Sequence, residues 1–255
     1  MFQKIRETVT QKWYQENDEK NMPFTGHLEE LRYRLIVVFV TIGCCFIALY
    51  PLSKNLLIIF SAPIEEKLHV LAPTEGFIVF LKLSLFGAIV VSLPMTLYQL
   101  WAFIAPGLYA KEKKYVLPFV LLGTIFFGIG GLFSYKIILP FGLKFLLGYG
   151  RDLLQPIISV ANYITFVTRM ILVFGAVFEL PLIALFLTKL GVVTPALMRR
   201  YRKYAIVGAF ILGAILTPPD VFTQVLMAGP LIILYEISIW ASVLFWKKPV
   251  DIDDD

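Results

Sequence analysis

Apolar stretches long enough to cross a bilayer recur along this chain, and no other feature limits its fold so tightly. Inside hydrocarbon every backbone N–H and C=O must find a partner within the protein, which leaves only helices or a closed barrel. The runs are continuous rather than alternating, so the chain is predicted to be an all-α polytopic membrane protein. A mean hydropathy of +0.79, with 58% hydrophobic residues, excludes an ordinary soluble domain. Six transmembrane helices are read, at about 35–52, 77–101, 116–139, 166–188, 204–217 and 222–246. Helices five and six are expected to be short. Between Tyr204 and the breaker Pro218-Pro219 the fifth has room for about 21 Å of helix, so the sixth must reach up to it or the membrane must thin.

Orientation follows from the basic residues, which gather on the cytoplasmic side of membrane proteins. The N-terminal arm (Lys4, Arg6, Lys12, Lys20, Arg32, Arg34), the loops holding Lys111–Lys114 and Lys189–Lys203, and Lys247-Lys248 fall on one side. Only Lys54, Lys67, Lys136, Lys144 and Arg151 fall on the other. Both termini are therefore predicted to be cytoplasmic. The net charge of +5 expresses this topology and gives no sign of nucleic-acid binding. The first 33 residues are too polar for a signal peptide, so span one is expected to direct insertion itself. Cys44 and Cys45 are adjacent inside that span, where packing rather than a disulfide is their expected role.

Chemistry concentrates in a few places. Glu179 is the tenth of nineteen residues between Arg169 and Lys189, with no other charge in that stretch. An ionised group at such a depth costs roughly 2.5–3.5 kcal/mol, which makes the acid a candidate functional site. On the cytoplasmic side, Leu28, Leu31 and Leu35 form an apolar stripe that can lie on the interface before the helix turns inward. Glu29–Arg32 and Glu30–Arg34 are possible helical ion pairs in the same stretch. A second cytoplasmic segment runs from Leu100 to Tyr109 with three aromatics, then places Glu112 among Lys111, Lys113 and Lys114. An acid kept in a basic loop suits a cationic partner from elsewhere, or only local charge balance.

On the outer side, residues 56–70 read as an amphipathic stretch broken by Pro63, and Pro73, Pro140 and Pro156 punctuate the loops. Asp220 after Pro218-Pro219 suits a helix N-cap, with Gln224 one turn later. Glu236 in span six is read as structural. No phosphate-binding loop and no metal-ligand spacing occurs, so the sequence offers no catalytic site and no cofactor.

Four blocks in this order resemble the TatC family, the multi-spanning core of the twin-arginine protein translocase. They are His27-Leu28-Glu29-Glu30-Leu31-Arg32, the run from Tyr98 to Tyr109 with Glu112 beyond it, Phe178-Glu179-Leu180-Pro181, and the run from Thr217 to Gln224. The resemblance covers Phe24 to about Lys248. It implies a concave, glove-like wall of six helices over residues 25–248, between a polar cytoplasmic extension (1–24) and an acidic tail (249–255), in a bacterial cytoplasmic membrane. It also implies a function: binding the twin-arginine signal peptide of folded precursors and nucleating assembly with the single-span partners TatA and TatB. Self-association in a receptor complex and transport driven by the proton-motive force belong to the same expectation.

By position, the resemblance makes Glu30 and Glu112 the signal-binding acids, with Arg32 and Phe103 beside them, and Pro63, Asp220 and Gln224 outer-side functional residues. Two acids on separate segments could clamp two neighbouring arginines through bidentate, charge-assisted pairs that lysine cannot reproduce. For Glu179 three roles stand open: an acceptor for a polar group on a partner's transmembrane helix, a proton carrier, or a protonated acid bonded within its own bundle. The rival from another class is a secondary transporter or channel for a small solute, which predicts internal repeats and discontinuous helices around a midplane site.

Overall fold

A computed structural model describes residues 24–64, 66–104, 116–148, 156–217 and 220–245. Glu112, the N-terminal arm, most of the first cytoplasmic loop, Pro218-Pro219 and the acidic tail lie outside the described residues. Among the described residues, helices dominate: α1 (Phe24–Leu49), α2 (Ser53–Ser61), α3 (Glu75–Ile104), α4 (Val116–Phe133), α5 (Leu139–Gly148), α6 (Val160–Phe178), α7 (Leu180–Lys189), α8 (Pro195–Leu216) and α9 (Val221–Phe245). A two-residue parallel pair joins β1 (Leu68–His69) to β2 (Ile158–Ser159). Five segments are long and apolar enough to span a membrane: Gly26–Ser61, Glu75–Ile104, Val116–Gly148, Val160–Lys189 and Val221–Leu244. The expected fifth span fails that test because Arg199, Arg200, Arg202 and Lys203 crowd the first half of α8.

Several expected boundaries move, each for a local reason. The first helix begins at Phe24 and runs unbroken to Leu49, rather than lying on the interface and then turning inward. No proline interrupts it, and Glu30–Arg34 supports its exposed start. Pro140 is not in a loop. Ser134–Ile138 form a π-helical turn in which the Leu139 amide donates to the Ser134 carbonyl, and Pro140 enters helically behind it. The wider turn takes up the missing proline N–H. The fourth span starts at Val160, where Ser159 Oγ accepts from the Asn162 amide as N-cap, and it breaks at Glu179 because Pro181 opens α7. The sixth helix is 25 residues with Pro230 inside it, close to the bounds expected from the sequence and not short.

The chain folds as two compact units. In the first (through Leu49, with Gly87–Thr124), α1 meets the C-terminal half of α3, and Trp101 packs on Phe119 with ring centroids 5.1 Å apart. In the second (Tyr50–Phe86 and Ile125 onward), glycines let helices close. A Cβ on Gly130 would meet the Phe174 carbonyl oxygen at 2.5 Å, and one on Gly175 would strike the Phe127 ring at 2.6 Å. Helix α9 packs on α7 and α8 around Ala184, Met198 and Ile239, with Tyr235 Oη donating to the Met198 carbonyl at 2.9 Å.

Candidate functional site

The first unit gathers polar groups where α1 begins. Glu30 and Arg34 are one helical turn apart, so their side chains share a face. Arg34 donates Nε (2.9 Å) and Nη2 to Glu30 Oε1, and Nη1 to Gln99 Oε1 at 3.1 Å. The guanidinium fork thus ties α1 to α3 while engaging only one oxygen of Glu30. The other, Oε2, is shielded from solvent and accepts no hydrogen bond among the described residues. His27 Nδ1 lies 3.7 Å from it, beyond hydrogen-bond reach. His27 in turn stacks on Phe103, centroids 4.2 Å apart and planes 15° from parallel. The result is a carboxylate held at one oxygen and unbonded at the other, beside an aromatic ring. Such an oxygen suits a donor from another molecule, above all a guanidinium.

The sequence-predicted residues divide. Glu30 and Phe103 come together through His27. Arg32 is exposed and lies two residues along the helix from Glu30, on the far face, and no ion pair joins it to Glu29 among the described residues. Glu112 lies outside the described residues. Pro63 follows α2, whose last carbonyls are taken by Tyr135 Oη (to Ile59, 2.6 Å) and Tyr163 Oη (to Phe60, 2.8 Å). Asp220 caps α9: Oδ1 accepts from the Thr223 amide at 2.7 Å and Oδ2 from the Thr223 hydroxyl. Gln224 Nε2 donates to the Phe210 carbonyl at 3.1 Å, tying α9 to α8 where Gly213 permits close approach.

Glu179 stands at the junction of α6 and α7, 9% exposed, with Oε1 buried and without a hydrogen-bond partner among the described residues. It is not used as a cap, since its side chain bonds no amide of α7. The third expected role, an acid satisfied inside its own bundle, is therefore not met at that oxygen.

Three contacts escaped the sequence reading. Glu75 accepts from the Ser159 hydroxyl, the Ala161 amide at 2.9 Å and the Leu71 and Ala72 amides. Lys82 Nζ donates to Thr165 Oγ1 at 2.7 Å. Glu236 meets Arg202 in a two-pronged pair, Nε–Oε1 2.6 Å and Nη2–Oε2 2.9 Å. Leu71 and Ala72 aside, the partners lie 34 to 86 residues apart, so local sequence carries no signal of them.

Comparison with known proteins gives a consistent answer. The profile of one family, Sec-independent protein translocase protein (TatC), matches residues 26–230. A Sec-independent protein translocase protein TatC from Desulforapulum autotrophicum is 42% identical over 237 residues, 91% of this chain and 88% of that protein. Its counterpart in Aquifex aeolicus is 45% identical over 238 residues, 91% and 99% respectively. A crystal structure of a twin arginine translocase receptor, TatC, superposes with a TM-score of 0.79 at 44% identity, covering 86% of this chain and 99% of that one.

Proposed function

The chain belongs to the TatC family of Sec-independent protein translocases, and from that premise we propose that it is the receptor core of a twin-arginine translocase. It binds the twin-arginine signal peptide of folded precursors and assembles with TatA- and TatB-type single-span proteins for export driven by the proton-motive force. Its residues 25–248 form the membrane domain, flanked by a polar extension and an acidic tail, in a bacterial cytoplasmic membrane with both termini inside. The basic residues clustered on one side support that orientation.

The observation that carries the peptide-binding role is the half-engaged carboxylate of Glu30. Arg34 holds Oε1, and Oε2 stays shielded and free beside the His27–Phe103 stack. One arginine of the signal donates to that oxygen, and the neighbouring arginine goes to Glu112. A charge-assisted hydrogen bond contributes about 1.5–3 kcal/mol, so each acid changes affinity by roughly ten- to a hundredfold. Glu179 offers its free oxygen to a polar group on a partner's transmembrane helix.

The test is a pull-down of the detergent-purified protein with a twin-arginine peptide, using Glu30→Gln/Glu112→Gln beside the wild type. The double variant is expected to elute as a folded, monodisperse species and to lose the peptide. A peptide with two lysines in place of the arginines is expected to bind the wild type poorly. Wild-type binding by the double variant overturns the clamp.

A further inference from the structure

The second unit carries two cations within its spanning helices that the receptor function leaves unused. Lys82 stands seven residues beyond Glu75 in α3, half-buried, and its only described contact is the 2.7 Å bond to Thr165 Oγ1. Thr165 passes its own hydrogen to the Ala161 carbonyl at 2.6 Å, so it serves Lys82 purely as an acceptor. Arg169 follows Thr165 by one turn of α6, on the same face, exposed and without a hydrogen bond or ion pair among the described residues. An ammonium with one bond made and a guanidinium with none leave about seven N–H donors wanting acceptors.

Among the described residues, nothing else supplies them. The Glu75 carboxylate is committed to Ser159, Ala161, Leu71 and Ala72. Asp220 is committed to Thr223, and Glu236 to Arg202. Glu179 lies ten residues beyond Arg169, about 15 Å along the chain of helices.

Direction and surroundings identify what does. Helices α3 and α6 start at the same end, joined there by the bonds of Glu75 to Ser159 and Ala161. Side chains tilt toward a helix's N-terminus, so Lys82 and Arg169 both lean toward that end. They start about 10 and 14 Å below it, a depth from which long basic side chains snorkel to the headgroup level. Ile78 and Leu85, one turn to either side of Lys82 on its own face, are 40% and 46% exposed. A free anion has no use for that apolar border, whereas an acyl chain does.

We propose that Lys82, Thr165 and Arg169 form a binding site for the phosphate of a phospholipid, with preference for a net-anionic headgroup. Two unpaired cations with no carboxylate between them disfavour a headgroup carrying its own ammonium. The bound lipid supplies the acceptors that the helices lack and lays its chains along Ile78 and Leu85.

The test is native mass spectrometry of the full chain in detergent, titrated with phosphatidylglycerol or phosphatidylethanolamine. Wild type is expected to hold one more tightly bound phosphatidylglycerol than Arg169→Gln and than Lys82→Met/Arg169→Gln, with apparent affinity falling about tenfold or more. Arg169→Lys is expected to keep the lipid, and Lys54→Gln, an exposed cation elsewhere, to change nothing. Arg169 is exposed, so its variants retain the fold, which helical circular dichroism checks. Equal phosphatidylglycerol binding in wild type and Arg169→Gln overturns the site. An equal loss in Lys54→Gln shows general charge attraction and overturns it too. Displacement of the lipid by millimolar inorganic phosphate overturns the lipid assignment in favour of a simple anion site.

Discussion

Arg34 binds one oxygen of Glu30 and leaves the other free. That asymmetry matters because Arg34 also donates to Gln99, so a single fork fixes the carboxylate and ties α1 to α3. Lysine offers a point charge and cannot serve both acceptors in one plane. Arg34→Lys is therefore expected to weaken twin-arginine peptide binding about three- to tenfold by loosening Glu30, less than the ten- to a hundredfold of Glu30→Gln. Fluorescence anisotropy of a labelled peptide ranks the two. A larger loss in Arg34→Lys than in Glu30→Gln would overturn Glu30 as the peptide's main contact.

Much of this architecture is legible in the sequence. Continuous apolar runs announced helices, and Pro218-Pro219 marked the end of α8 at Leu216. Asp220 behaves as the cap its position suggested. What escaped is what depends on distance in the chain. Local sequence around Lys82 gives no hint of Thr165, 83 residues away, and that around Glu75 none of Ser159. The break at Glu179 was written in Pro181, yet an uninterrupted apolar composition hid it. Pro140 misled in the opposite sense, since a π-helical turn carries the helix through it.

Glycine contacts yield a paired prediction in the second unit. A Cβ at Gly130 would sit 2.5 Å from the Phe174 carbonyl oxygen and 2.8 Å from Phe178, whereas one at Gly128 would meet nothing within 4 Å. Gly130→Ala must push backbone apart and is expected to cost about 1–3 kcal/mol. Gly128→Ala is expected to be neutral or to stabilise by up to about 1 kcal/mol, since alanine favours the helix. Thermal unfolding in detergent separates them, and similar melting of both variants would refute the close approach.

Glu75 links three segments through its four bonds, so shortening it strands several donors at once. Glu75→Ala is expected to lower the unfolding midpoint more than Glu75→Gln, which keeps one acceptor oxygen. Thermal melting of both variants beside wild type checks that order, and equal midpoints for all three would remove the carboxylate from this role.

Glu179 allows stability and assembly to be set against each other. Its Oε1 is buried without a partner among the described residues, a position where a polar atom costs about 1–3 kcal/mol. Glu179→Leu removes that cost at similar volume, so the isolated protein should melt at the same temperature as wild type or higher. If the oxygen is kept for a partner helix, the same variant should fail to co-purify TatA or TatB and should not export a twin-arginine precursor. Glu179→Gln, which retains an acceptor, should keep most of the association, and a cysteine at 179 should crosslink to the partner's helix. A Glu179→Leu protein that melts lower and still assembles would instead make the acid part of its own bundle. The two readouts move in opposite directions under the two roles, so a single variant decides between them.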